Sequence, residues 1–164
     1  MTVGTVKTQG TELFFIDHTT TSDTDLIKLA CPTGITGLGG PRGQINITCL
    51  SATEDEEFVG GLGTPGTVNV PFNLIPRDHS QQILFDLKKS GATLKWLACL
   101  SEGTNPPTIS DDHVFIPPTG RSSIAFDAYI SDVNINIATN EIVRGTLTLQ
   151  RSGAVVTHFY TPAA

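Results

Sequence analysis

Positive charge is in short supply. The 164 residues hold 10 Lys+Arg against 16 Asp+Glu, for a formal net charge of −6 and a pI near 5.0. That balance argues against binding the outside of a nucleic acid, where neutralised phosphates supply most of the affinity. It is compatible with a surface that nucleic acid slides past without sticking. Cysteine is also scarce. Cys31, Cys49 and Cys99 are an odd number with no close pair, so all three are expected to be reduced, mostly buried small hydrophobes. No stretch approaches the ~20 apolar residues of a membrane-spanning helix. The opening MTVGTVKTQGTELFF has no apolar run fit for a signal peptide, so cytoplasmic synthesis and no membrane partner are expected. Without secretion the Asn46-Ile47-Thr48 sequon carries no meaning. One Trp and two Tyr leave a secreted carbohydrate-binding sandwich as a distant alternative only. No period of 20–50 residues recurs, which excludes a repeat array.

What is present is β pattern and punctuation. Hydrophobic residues make up 38% of the chain, enough for one globular domain over residues 1–164, and 16 Gly with 10 Pro mark many turns. Residues 1–10 read as a loose N-terminal arm. Thr11–Asp17 reads as a strand, 19–25 as a polar turn and Leu26–Cys31 as a short strand. Residues 32–43, rich in Gly and Pro, read as loop. Ile45, Ile47 and Cys49 alternate with polar residues, predicting a strand over Gln44–Leu50. Ser51–Gly66 has no core period and holds four consecutive acids, so it reads as one long acidic loop. Val68, Val70, Phe72 and Leu74 alternate as the next strand.

A single helix is predicted over 78–90. Asp78 suits the N-cap, with Gln81 placed as in a capping box. Ile83, Leu84 and Leu87 form its apolar stripe, Lys88 and Lys89 its basic end, and Gly91 its left-handed stop. Leu94–Ser101 is apolar on both faces and reads as a central strand. Residues 102–121 read as loop and Ala154–Tyr160 as a last strand. The fold class is therefore all-β, a β-sandwich or partly open barrel with one short flanking α-helix.

The stretch after residue 122 changes phase. Ile124, Phe126, Ala128 and Ile130 fall on even positions, whereas Val133, Ile135 and Ile137 fall on odd ones. An extra residue at Ser131–Asp132, a β-bulge, would account for the change and bend a strand that would be roughly 50 Å long if straight. The bent strand is expected to feed one sheet with its first half and another surface with its second. A turn at 138–140 returns the chain, giving a long hairpin whose unpaired edges suit assembly better than a monomer.

No residue pattern nominates a catalytic, cofactor-binding or metal-ligating group. Gly61–Gly66 matches GxGxxG by letters. It lacks the preceding strand and following helix of a dinucleotide site and reads as a flexible turn. Asp111-Asp112-His113 are sequence neighbours without a second ligand pair and read as a solvated loop. His18, His79 and His158 stand apart from any nucleophile.

Three stretches, CPTGITGLGGPRGQI, GGLGTPGTVNVPFNLIPRDHSQQILFDLKKSG and FDAYISDVNINIATNEIVRGTLTLQRSG, together resemble the major tail tube proteins of long-tailed, lambda-like phages. The order of elements is the family's: acidic loop, strand, short helix, late hairpin. The resemblance covers about residues 25–153. It implies a structural virion protein, not an enzyme, that forms hexameric rings stacked into a tail tube. The tube is the conduit for genome ejection, and strands of all subunits join in an inner barrel. It implies no cofactor. The implied partners are further copies of the chain, with the tape measure protein, tail terminator and distal tail proteins. Phage DNA passes through the lumen without specific binding, past a wall whose negative charge repels phosphates. The place is the virion tail, assembled in the host cytoplasm. The tube protein of a contractile tail, a pyocin or a type VI secretion machine is the alternative.

On this resemblance Glu54, Asp55, Glu56 and Glu57, with Phe58 and Val59 as apolar anchors, are the candidate ring-stacking loop. Arg42, Arg77 and Lys95 are candidate basic partners for the acids. Ser131, Asp132, Val133, Ile135, Ile137, Leu147 and Leu149 are the candidate inter-subunit hairpin.

Overall fold

The structure, a computed structural model, describes residues 4–17 and 26–161. The predicted polar turn at 19–25 and the first three residues of the N-terminal arm lie outside the described residues. The chain runs β1 (Glu12–Ile16), β2 (Leu26–Lys28), β3 (Arg42–Asn46), β4 (Phe58–Gly63), β5 (Thr67–Asn73), α1 (His79–Ser90), β6 (Thr93–Cys99), β7 (Thr108–Ile109), β8 (Phe115–Ile116), β9 (Ser123–Asn136) and β10 (Arg144–His158). Six strands form one antiparallel sheet in the order β2-β1-β6-β9-β10-β5, while β3–β4 and β7–β8 stand as separate two-stranded pairs. The fold is thus mostly β with one short helix, and its sheets are open.

Alternation dictates the core. Leu13 and Phe15 of β1, Leu94, Trp96 and Ala98 of β6, Phe126, Ala128 and Ile130 of β9, Leu147 and Leu149 of β10, and Val68, Val70 and Phe72 of β5 join one buried cluster. Residues two apart point to the same side of a strand, so one face of the whole sheet wraps around that cluster. Trp96 is fully buried, and its Nε1 donates to Ala128 O at 3.1 Å, which satisfies the one polar atom of its ring. On the other face Phe14, Leu97 and Cys99 pack with Phe115 of β8, so β6 is covered on both sides, as its unbroken apolar run predicts. After β2 the chain crosses from one sheet edge to the other. Leu29 N donates to Leu13 O, while Thr33 N and Thr36 N donate to Pro71 O and Asn69 O of β5.

α1 begins and ends where its sequence says. Asp78 is extended and accepts from Ser80 N at 2.9 Å, and Gly91, at φ 66°, stops the helix by donating to Leu87 O. Ile83, Leu84 and Leu87 close over the core cluster. The capping box does not form. Gln81 turns inward instead: its Oε1 accepts from Ile75 N, and its Nε2 donates to Ala30 O and Asn73 O. A buried amide with three backbone groups in reach satisfies them in preference to reaching back to the N-cap.

The phase break is a bulge. In the β9–β10 register Leu149 faces Ile130 and Thr148 faces Asp132, leaving Ser131 as the extra residue, whose Oγ donates to Thr148 O. Its consequence differs from the expectation. The bulge keeps Ile130 and Val133 on the same side, both in the core cluster, so the second half of β9 continues the same sheet along β10 instead of feeding another. β6 accompanies β9 only over Ser123–Tyr129. Beyond that point β9 is paired with β10 alone among the described strands.

Other boundaries are corrected too. The third strand is Arg42–Asn46, not Gln44–Leu50, and Ser51–Gly66 is not one loop, because Phe58–Gly63 is β4, paired with β3. Gly60, Gly61 and Gly63 erase the apolar period there. Gly60 lets the Arg42 side chain lie across β4, with Nη1 donating to Gly61 O at 3.1 Å. The first half of the GxGxxG letters, Gly61–Gly63, therefore falls in a strand. Residues 154–158 extend β10 past a second irregularity between Ser152 and Val156. Residues 4–10 are tied down, since Ser101 Oγ donates to Lys7 O and Arg121 Nη2 to Gly10 O. Asp111–His113 make the β7–β8 turn, with His113 at φ 56°.

Candidate assembly surfaces

The β3–β4 hairpin has a built tip. Ile47 N donates to Glu57 O, Glu57 N donates to Thr48 Oγ1, and Thr48 N donates to Asn46 Oδ1, so the sequon residues serve as hairpin wiring. A turn closed by Ala52 N on Cys49 O holds Leu50 at its corner, fully exposed. Glu54, Asp55, Glu56 and Glu57 follow, all exposed. Phe58 and Val59 are 45% and 48% exposed, so both remain available as anchors. Ile45 and Val59 face each other across the strands, while Phe58 lies on the opposite side. The hairpin therefore shows apolar side chains on both faces. An isolated two-stranded pair is marginal in water, and this one carries its apolar residues uncovered.

The β9–β10 hairpin divides its candidates. Val133, Leu147 and Leu149 sit in the subunit's own core. Ile135 and Ile137 are 41% and 78% exposed. Asp132 is exposed and pairs with Lys88 Nζ at 2.9 Å, and that hydrogen bond holds its carboxyl below the usual range. Of the basic candidates, Arg42 is laid on its own hairpin and Lys95 pairs with Asp127 at 3.5 Å. Arg77 is exposed and without an ion pair among the described residues.

Sequence reasoning missed the exposed Ile45, Ile47, Leu50, Leu62 and Ile142. It also missed an apolar cleft of about 300 Å³ between the start of α1 and the β9–β10 hairpin, lined by Leu74, Ile75, Pro76, Gln82, Phe85 and Ile135. The signal for Leu50 was readable: a leucine beside a turn with no apolar partner at period 2.

A cavity of about 660 Å³ lies beside Glu12, Lys28, Cys31 and Asp78. Its polar groups are committed. Lys28 pairs with Glu12, Arg121 Nη1 reaches Glu12 at 3.0 Å, and Asp78 caps α1. Burial pulls the Glu12 carboxyl up, but the hydrogen bonds from Lys28 and Arg121 outweigh it and leave its pKa low. No group of three or more His, Cys, Asp and Glu gathers in metal-binding range among the described residues. Cys31 and Cys49 are exposed, against the expectation. Cys99 is buried, and burial pushes its thiol up to about 11.

Comparison with known proteins follows the same line. The family described as phage tail tube, TTP, lambda-like, matches residues 4–161. A curated relative, "Structural protein 3" of Pseudomonas phage PAJU2, is 36% identical over 156 residues, covering 92% of each chain. Among solved structures the SPP1 tail tube is similar at TM-score 0.66 and 12% identity, covering 96% of this chain and 81% of that one. A chain of the anti-feeding prophage baseplate is similar at TM-score 0.67 and 8% identity, covering 97% and 98%. So is a chain of an extracellular contractile injection system sheath–tube complex, at 0.65 and 12%, covering 95% and 93%. The chain belongs to the lambda-like phage tail tube family and is a structural tail tube protein, a component of the virion tail.

Proposed function

We propose that the subunit forms six-fold rings that stack into a hollow tube, with the β3–β4 hairpin joining one ring to the next. The observation that carries this reading is that hairpin: it is ordered by its own hydrogen bonds, apolar on both faces, with Leu50 and Leu62 bare and Ile45, Phe58 and Val59 about half exposed. The β9 edge beyond Tyr129, open on the side away from β10, is where a neighbour's strand would continue the sheet within a ring and remove an exposed edge. A head-to-tail contact that closes by rotation gives a ring, and one that does not close gives a filament. A stacked tube uses both.

The face of β5, β10 and β9 opposite the core carries Asn69, Asn73, Thr146, Thr148, Gln150, Asn134 and Asn136, with the acids Asp127 and Asp132 and with Arg144 as its cation. We assign this face to the lumen. On this assignment hydroxyls and amides face the DNA beside Asp127 and Asp132, which are paired with Lys95 and Lys88. One cation per subunit leaves phosphates little to hold them, so the genome passes without specific binding. A tube of this kind acts without catalysis. It meets the tape measure protein inside and terminator and distal tail proteins at its ends, and it assembles in the host cytoplasm. Likeness to chains of contractile injection assemblies supports a second reading, a tube inside a sheath. A sheath protein co-purifying with the tail would favour that reading.

Electron microscopy of the purified protein tests the proposal. Hollow tubes with six-fold end views are expected, and featureless monomers at all concentrations would contradict it.

A further inference from the structure

The β3–β4 hairpin and the apolar cleft lie at opposite ends of one strand. β5 starts at Thr67, just after the hairpin, and ends at Asn73, which leads directly into Leu74, Ile75 and Pro76 of the cleft wall. Seven residues at about 3.3 Å each separate the two by roughly 23 Å along the strand. At the first end stand an exposed Leu50, an exposed Phe58 and the acids Glu54–Glu57. At the second stand an apolar cleft of about 300 Å³ and the exposed Arg77 beside Pro76. Arg77 has no ion-pair partner among the described residues.

We infer that the tip of the β3–β4 hairpin of one copy docks into the α1/β9–β10 cleft of a second copy, with Leu50 and Phe58 against Ile75, Phe85 and Ile135 and with Glu54–Glu57 facing Arg77. The inference rests on the ring-stacking reading and names its receptor. Apolar matches apolar and acid matches base, and the two surfaces differ. The contact is therefore heterologous and, as a contact that does not close by rotation, would repeat from ring to ring along one direction. Within one copy the hairpin joins β5 at the end away from the cleft.

The test uses full-length protein and two kinds of variant. Leu50→Asp with Phe58→Asp spoils the tip, and Ile75→Glu, at a half-exposed position, spoils the cleft. Each alone is expected to give rings and no tubes by electron microscopy and sedimentation. Mixed in equal amounts, they are expected to give paired rings, because one partner keeps an intact tip and the other an intact cleft. Arg77→Glu, outside the core, is expected to shorten tubes as well and carries the test if Ile75→Glu misfolds. If the tip variant loses tubes while Ile75→Glu and Arg77→Glu polymerise like the parent, the cleft is not the receptor, and stacking by the hairpin stands. If the tip variant itself polymerises, the stacking reading falls with the inference.

Discussion

In β5, Val68, Val70 and Phe72 are fully buried, whereas in β4, just upstream, Phe58, Val59 and Leu62 are 45%, 48% and 90% exposed. The same residue types on adjoining strands meet opposite fates. β5 has a sheet neighbour, β10, and a helix-capped core beneath it. β4 has only β3. Residues of the first kind stabilise the subunit, because their burial occurs on folding. Residues of the second kind are buried only when another molecule arrives, and their contribution belongs to assembly. Substitutions should separate the two regions by what they change.

The largest effects on stability fall in the body. Leu87→Ala removes a buried side chain that joins α1 to the core and is expected to cost about 2–5 kcal/mol, read as a shift in denaturant midpoint of assembly-blocked subunits. An unchanged midpoint would mean that α1 packs elsewhere. Gly145→Ala comes next. The Phe72 ring lies over Gly145 so closely that a Cβ would overlap it, and displacing the ring is expected to cost about 1–3 kcal/mol. Phe58→Asp sharpens the contrast. On an exposed hairpin its effect on subunit melting should stay within about 0.5 kcal/mol, yet tubes should be lost.

A smaller effect is set by pH. Glu12 has its pKa lowered from an ordinary value of 4.5, so the folded state holds this proton less tightly than the unfolded chain does. Its stabilisation is present above that value and is lost as pH falls through the folded pKa. Glu12→Gln is therefore expected to lower stability at neutral pH and to flatten the acid limb of the stability curve. A limb as steep as the parent's would assign the acid loss to other carboxylates.

The body was legible in the sequence because burial imposes periodicity. β5, β6, α1 with its Asp78 and Gly91 ends, and the bulge at Ser131 all leave a mark on the spacing of apolar residues. The hairpin was illegible for the same reason. β4 packs on nothing in its subunit, so no alternation is required of it, and its glycines removed what pattern remained. The second half of β9 was misread because phase alone does not say whether an extra residue reverses a face or preserves it. Only the register with β10 decides that. Gln81 was assigned to the cap because sequence spacing cannot show the three backbone groups that long-range packing brings to it. The apolar cleft joins Leu74–Pro76 to Ile135, distant in the chain, and no local pattern announces it.

Cys49 offers the most direct measurement of the central claim, that the hairpin tip is bare in the subunit and covered in the tube. It lies next to Leu50 in the tip turn and is exposed, while Cys99 is buried with a thiol pushed up to about 11 and should stay inert near neutral pH. Maleimide labelling followed by peptide mass analysis reads each site separately. Cys49 is expected to label quickly in isolated subunits and rings, and to be protected once tubes form. Equal labelling of Cys49 in subunits and in tubes would show that the tip never meets a neighbour, and would contradict the account.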